Sequence, residues 1–595
     1  MVPAFIQVLK RSDVRLACFG LSAVVAVYFG FLGLGVAASG TLVERFGYYF
    51  MLITFALWVK TLFGVWRSRN RGERMSQREV WGAGLVIGVL SIAAFNSEPF
   101  RSKILYDEYV LQSTAYNMHY FRDAATMVRG YDILGDFIST DSYLDKRPNF
   151  FPFLISLVHD LTGYRTENAY WLNSGLYPLA LVLAYGLGRR LNGPKGGFLA
   201  IVLLGSLPLL SQNATGSGME LINIAMILVV VLLGSVYLRR PDEERLSALV
   251  IGAVLLAQTR YESAIYVLPV AVMILVGWWR TRGVMLSWAA VVAPLLLLPS
   301  ALQNKVLSNS RWMWELKENQ NTRFSPEYVM GNVHSAIGFF FNTSARLANS
   351  WLLTILGAVS LAYLMWRLVV AVRRRADLGS DRWALLLMSA GVLSNTVLIL
   401  FYYWSNLEDP IASRLSLPFY LFLSFAVVIA ASSWDRRFPA TAILTFMVAT
   451  VGLTIGMSHQ AQHLYSYLGS SEIEWEKRYV ASLPEGDRLI ITNKSTMPWL
   501  LNRIPSILIG RTNLVGDRLH YQIERHTFCE ILVFQSLRPG SPEGDHELVP
   551  EDRVPAGFKL EVMTEKRFGT KIDRVSRLVA VALPSNKGTL LSATP

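Results

Sequence analysis

The chain has 595 residues, of which 52% are hydrophobic, 12% aromatic and only 17% charged. A soluble domain carries about 25% charged residues, so this composition excludes an ordinary soluble enzyme and points to a membrane protein. The formal charge of +13 does not mark a nucleic-acid binder, because the basic residues sit in short loops between apolar runs rather than along one stripe. Cys18 lies in an apolar run and Cys529 near the far end of the chain. Their separation gives no reason to pair them.

In chain order, apolar segments begin near residues 14, 46, 80, 168, 196, 220, 246, 262, 284, 350, 383, 414 and 438. That predicts about thirteen transmembrane helices, the pair at 246–258 and 262–279 being short. The basic flank before the first run resembles a signal peptide, but the run is long for one and reads as a retained span with its N-terminus inside. With that start, Arg67, Arg69, Arg71 and Arg74, then Arg189 and Arg190, Arg239 and Arg240, Arg280 and Arg282, Arg373 to Arg375, and Arg436 and Arg437 all fall on the cytoplasmic side. Shifting the phase by one span would put every cluster outside, against the positive-inside rule. The stretches 97–167, 211–219, 304–349, 405–413 and 459–595 are then extracytoplasmic. The last of these changes character. "EIEWEKRYVASL" reads as an amphipathic helix, and "DRLIITN", "PSILIG", "EILVFQ", "FKLEVMTE" and "SRLVAVAL" read as strands. The fold class expected is a polytopic α-helical membrane protein with a small extracytoplasmic α/β C-terminal domain.

The first external loop opens on "KILYDEYVLQSTAYNMHYFRD", with Asp107 and Glu108 where a hydrophobic span has just ended. Leu111, Ala115, Met118, Phe121, Ala125 and Val128 then recur at helical steps, predicting an amphipathic helix lying along the interface. "RPNFFPFLISLVHDLTG" (147–163) predicts a second short helix, too broken by proline to span. A carboxylate at that depth can take a proton from an acceptor hydroxyl, partial desolvation bringing its pKa towards the working range. An acidic pair in a wet loop is the plainer reading of the same two residues.

The order of these features resembles the first loop of the GT-C glycosyltransferases, nearest the branch of protein O-mannosyltransferases and the lipid A aminoarabinose transferase. "YDEY" stands where that family carries a loop acid, and Lys146-Arg147-Pro148 where it carries a Lys-Pro step. "NATGSGMELINIAMIL" places Glu220 at the start of a span, matching a second family acid. "GAVLLAQTRYESAIYVLP" places Arg260 and Glu262 in a break between two short apolar stretches, and "ASRLSLPFYLFLSFAV" opens a late span with Arg414. The likeness covers residues 80–430. It divides the chain into an N-terminal pair of transmembrane helices (1–79), a catalytic transmembrane module (80–458) with loops 97–167 and 304–349, and the α/β domain (459–595).

The resemblance implies an inverting transfer of a sugar from a polyprenyl-phosphate donor to a hydroxyl of a glycan, lipid or protein, outside the cell membrane. Asp107 is the expected base, with Glu108 the other candidate. Glu220 is expected to orient the acceptor or assist a metal. Arg260, Arg414, Lys146 and Arg147, in that order, are expected to hold the lipid phosphate, since a phosphate leaving group needs positive charge rather than a proton. Arg260 paired with Glu262 is the structural alternative. No spacing of potential ligands requires a cofactor, although a divalent cation between carboxylates stays open. His119 and His159 stand alone and read as packing residues. "RWMWELKENQNTRF" brings Arg311, Trp312, Trp314, Lys317 and Arg323 together in the 304–349 loop, where aromatics could cover a sugar. A secondary transporter would show inverted repeats, which are absent here. A polysaccharide polymerase or ligase would not need Asp107.

Overall fold

The computed structural model describes residues 12–68, 75–310, 314, 322–344, 347–374, 379–434, 470–539, 546–548 and 552–582. The chain forms two compact units, one of residues 1–125 and 144–465, the other of residues 126–143 and 466–595.

The first unit is helical. It runs through α1 (Ser12–Val27), α2 (Val36–Arg67), α3 (Gln77–Ser97), α4 (Leu105–Tyr120), α5 (Phe150–Thr162), α6 (Asn168–Gly205), α7 (Pro208–Ala214), α8 (Glu220–Arg239), α9 (Glu243–Leu256), α10 (Val267–Thr281), α11 (Trp288–Leu296), α12 (Leu298–Ser308), α13 (Val329–Phe340), α14 (Trp351–Arg373), α15 (Ser380–Leu400) and α16 (Leu417–Trp434). Among the described residues, nine helices are long and apolar enough to cross a membrane, not counting α6 with α7. This is a multi-pass membrane protein. Every expected apolar segment up to the one near 414 coincides with a helix, and the segment near 438 lies outside the described residues.

Helix α6 holds two of the expected spans, because the chain turns back on itself at Asn192 (φ −147°) and Gly193 (φ +65°). Gly193 adopts a left-handed conformation that a Cβ would penalise. The return is tight: the Tyr177 hydroxyl donates to the Gly205 carbonyl at 2.7 Å. A Cβ on Gly188 would lie 2.4 Å from the Gly196 carbonyl oxygen.

The basic residues meet at one end of this bundle. Asp381, in the first turn of α15, pairs with Arg239 at the end of α8 and lies 3.7 Å from Arg190. Arg280 donates to the Leu238 carbonyl at 3.1 Å. Helix α8 has 20 residues, which at 1.5 Å each puts its first residue, Glu220, about 30 Å from this basic end.

One expectation fails. The helix after Asp107 stops at Tyr120, not near Val128, with Arg122 left-handed (φ 59°) just beyond it. Nor is α4 a surface helix, since Leu111 and Met118 on one side and Gln112, Ser113, Thr114 and Asn117 on the others are all buried. Its polar residues find partners inside: Gln112 donates to Ser217 at 2.8 Å and Asn117 to the Ala125 carbonyl at 2.8 Å. Apolar periodicity could not distinguish a helix wetted on one face from one whose polar face is satisfied by protein.

The second unit is α/β. The predicted strands form as β3 (Arg488–Thr492), β4 (Ser506–Leu508), β5 (Glu530–Pro539), β7 (Phe558–Phe568) and β8 (Lys571–Val581), in the order β4-β3-β5-β8-β7, with β6 (His546–Glu547) on β5. β3 runs parallel to β4 and β5, while β8 is antiparallel to both β5 and β7. The predicted helix is α17 (Ser470–Ser482), and α18 (Gly516–Glu524) precedes β5. A hairpin of β1 (Thr126–Ile133) and β2 (Asp136–Tyr143) belongs to this unit, with Tyr131 against Phe528 (ring centroids 5.9 Å apart).

Within the sheet unit Lys494 is buried among Glu472 (3.0 Å), Glu476 (2.9 Å) and Asp573 (2.7 Å), tying α17 to β3 and β8. Burial, opposed by Lys494 and reinforced by Asp573, pushes Glu476 up to about 8. A carboxyl raised on folding stabilises fully below its unfolded pKa, and that contribution is lost as pH rises towards the folded value. Hydrogen exchange in β3 and β8 should therefore accelerate between pH 5 and 8, and Glu476→Gln should flatten that dependence. Unchanged pH dependence in the variant would assign the effect elsewhere.

Candidate active site

The site is assembled from helix starts and the turns before them, all in the helical unit. Asp107 and Glu108 occupy the first turn of α4, and Glu220 is the first residue of α8. Arg260 lies in the break between α9 and the turn Tyr261–Tyr266, and Arg414 in the turn Arg414–Ser416 leading into α16. Arg147 lies with Pro148 in the bend just ahead of α5.

These residues, far apart in sequence, form one ion-pair network. Asp107 is gripped on both oxygens, Oδ1 by Arg147 and Oδ2 by Arg414. Arg414 donates its other terminal nitrogen to Glu220 Oε1 at 2.9 Å, and Arg260 donates to the same oxygen at 2.5 Å. Arg260 also pairs with Glu262, so the ion pair expected as the structural alternative exists alongside the longer-range one. Arg147 pairs with Asp145 at 2.7 Å, and Gln303 on α12 donates to the carbonyls of Asp145 (2.7 Å) and Arg147 (3.0 Å), fixing that segment.

Exposure separates the acids. The Asp107 side chain is 21% exposed and that of Glu220 1%, while Glu108 is wholly buried. Of the three, Asp107 is the one open to solvent. Burial would raise its pKa, but the guanidiniums of Arg147 and Arg414 hold it well below the usual carboxylate range.

Glu108 is built differently. Its Oε2 accepts from the backbone N–H groups of Lys103 (2.9 Å) and Ser217 (3.1 Å) and from the Ser217 hydroxyl (3.0 Å). It therefore clasps the glycine-rich turn 215–219 that delivers Glu220. Asn173 holds the same turn, donating to the Gly216 and Gly218 carbonyls at 2.9 Å. Burial, against the two backbone donors, pushes Glu108 up to about 7. A Cβ on Gly218 would stand 2.2 Å from Glu220 Oε2 and 3.5 Å from Glu108 Oε1, so only glycine fits between the two acids.

Among the described residues, five buried polar atoms around this network make no hydrogen bond: Arg147 Nε, Arg260 Nη2, Glu108 Oε1, Glu220 Oε2 and Glu262 Oε2. Unsatisfied buried groups on this scale are costly, and here they comprise N–H donors suited to an anion and oxygens suited to hydroxyl groups. Among the described residues no cluster of three or more His, Cys, Asp or Glu is arranged to hold a metal ion. Glu220, the expected metal-assisting acid, spends one oxygen on two arginines.

Lys146 stays out of the network and lies over the Trp314 ring, 5.3 Å from its centroid. Arg323 covers the same ring at 4.5 Å, and Tyr261, next to Arg260, meets it edge-on at 5.9 Å. Trp314 thus borders the arginine cluster as an aromatic wall, whereas Arg311, Trp312 and Lys317 lie outside the described residues. The two histidines join no active centre: His119 pairs with Asp160 at 2.6 Å and His159 with Asn168 at 2.9 Å. Asp145, Gln303, Asn173 and Ser217 carried no sequence signal, because each acts through a partner distant in the chain.

Residues 146–302 match the family model of dolichyl-phosphate-mannose-protein mannosyltransferases, a stretch that contains Arg147, Glu220 and Arg260. No curated protein sequence matches the chain. Among solved structures it is similar to ArnT from Cupriavidus metallidurans in the apo state, with TM-score 0.51 and 13% identity over 84% of this chain and 98% of that one. It is also similar to the same protein bound to undecaprenyl phosphate, with TM-score 0.50 and 12% identity over 82% and 97%. At such identity the likeness shows the fold.

The two acids of the "DE" pair should respond differently to substitution. Glu108→Gln retains an acceptor for Ser217 and Lys103, and should unfold within about 1 kcal/mol of the wild type. Because Glu108 is raised on folding, wild-type stability should fall as pH climbs from 5 to 7 relative to Glu108→Gln. Glu108→Ala leaves those donors unpaired and should cost about 1–3 kcal/mol per buried group. Thermal unfolding in detergent across pH checks all three.

Proposed function

We propose, from the premise that this chain has the GT-C fold, that it moves a sugar from a polyprenyl-phosphate donor to an acceptor hydroxyl, with inversion, on the extracytoplasmic face of the membrane. One observation carries the reading. Arg147 and Arg414 grip Asp107, the most open acid of the network, and Arg260 joins them through Glu220, with buried N–H groups of Arg147 and Arg260 making no hydrogen bond. Guanidiniums in that arrangement suit a phosphate, which they bind in forked hydrogen bonds. The similar ArnT structure holds undecaprenyl phosphate. Arg190, Arg239 and Arg280 gather at the opposite end of the bundle, which by the positive-inside rule is the cytoplasmic one.

The chemistry follows from what the residues can supply. The acceptor oxygen attacks the anomeric carbon from the face opposite the phosphate, the new C–O bond forming as the C–O bond to phosphate breaks. The electron pair leaves with the polyprenyl phosphate, whose growing charge the arginines stabilise. No general acid is needed for such a leaving group. The acceptor proton passes to Asp107, the exposed acid of the set. Glu220 acts as a positioning residue holding Arg260 and Arg414, and Glu108 supports the turn that carries Glu220. No step is routed through a metal.

Membranes containing the wild type, given a panel of radiolabelled polyprenyl-phosphate hexoses and pentoses, should pass label to an acceptor from at least one donor. Asp107→Asn should lower that transfer by ~100-fold or more at equal protein level. Undiminished transfer by the variant would remove Asp107 as the base. Transfer from no donor would remove the proposed reaction.

A further inference from the structure

Asp107 and the donor phosphate make competing demands on the same two side chains. Both Asp107 oxygens are bound, one by Arg147 and one by Arg414. Arg414 is in turn shared with Glu220, and Arg147 with Asp145. Among the described residues, the other nearby cations are held elsewhere: Lys146 lies over Trp314, and Arg260 pairs with Glu220 and Glu262. A carboxylate clamped by two guanidiniums is a poor proton acceptor. The lone pairs that would take the proton are the ones the arginines hold.

We infer that Asp107 is a masked base, occupying the arginines that the donor phosphate must take, so that donor binding itself unmasks it and the acceptor is activated only after the donor is in place. This rests on the donor reading given above. When the phosphate draws Arg147 and Arg414 to itself, Asp107 loses two positive neighbours and gains a negative one, and both changes raise its basicity. The transferred proton then leaves the acceptor hydroxyl for the freed Asp107 oxygen as the sugar departs from phosphate. Once the polyprenyl phosphate dissociates, Asp107 releases the proton to solvent and returns to the arginines.

The arrangement has a consequence that an ordinary catalytic base would not show. A competitor that must be displaced weakens the apparent affinity of the ligand that displaces it. Removing the carboxylate should therefore abolish transfer and at the same time tighten binding of the lipid phosphate. The measurement is the affinity of purified full-length protein for undecaprenyl phosphate, in nanodiscs, for the wild type, Asp107→Asn, Asp107→Ala and Asp107→Glu. Asn and Ala should bind about threefold tighter or more than the wild type, while Glu, which restores the carboxylate, should return towards the wild-type value. A variant damaged in folding would bind more weakly, so tightening cannot come from misfolding. Equal or weaker binding by both Asn and Ala, with the wild type binding normally, would overturn the mask and leave the donor reading intact. Absence of undecaprenyl phosphate binding in the wild type and in every variant would overturn the donor reading and the mask together.

Discussion

Arg414 is the interaction on which the rest of the site depends. It stands in the turn before α16 and reaches back to the first turn of α4 and the first residue of α8, joining Asp107 to Glu220. The three residues are buried or nearly so, and removing one partner of such a set leaves the others uncompensated, typically at about 3–5 kcal/mol. The network is thus a clasp on three segments that are otherwise connected only by long stretches of membrane helix. Polar groups on this scale inside an apolar bundle are expensive, which is why their position, rather than their number, marks the site.

The acids divide their work by environment. Asp107, between two arginines and partly open, stays ionised. Glu108, adjacent in sequence but turned to the other side of the first helical turn, is wholly buried and meets backbone N–H groups instead of cations. One residue of separation on a helix is about 100° of rotation, enough to put two neighbouring carboxylates into unlike surroundings. The same helix start therefore presents a reactive group to the opening and a structural one to the glycine turn at 215–219. Glycine at 218 is required by that packing, since a Cβ there would collide with Glu220.

Unlike a soluble enzyme, this chain cannot lay its active groups on loops over a finished core. Its backbone is committed to helices wherever it meets lipid, so functional side chains fall where helices start, break or turn. Glu220, Arg260 and Arg414 all occupy such positions. The break after α9 is tied to α8 through Asn223, whose Oδ1 accepts from the Thr259 and Ser263 hydroxyls at 2.8 Å.

Much of this was legible from one sequence. Apolar runs of span length have a single stable solution in lipid, so the helices of the first unit and the break at Arg260 could be placed from hydropathy alone. Alternating strands likewise located the sheet of the second unit. Asp107, Glu220, Arg260 and Arg414 could be picked out because they stand where the resemblance to the GT-C glycosyltransferases implies acids and arginines. What the sequence could not contain was their mutual distance. Asp107 and Arg414 are separated by 307 positions, and no local pattern says which acid meets which arginine. Tertiary packing decided that Lys146 would face a tryptophan while its neighbour Arg147 met the acid, and that α4 would be buried on its polar side. It also decided that Thr126–Tyr143 would leave the helical unit as a hairpin of the sheet unit. Local pattern reports what each segment must bury from water or lipid; only the assembled fold determines which partner does the burying.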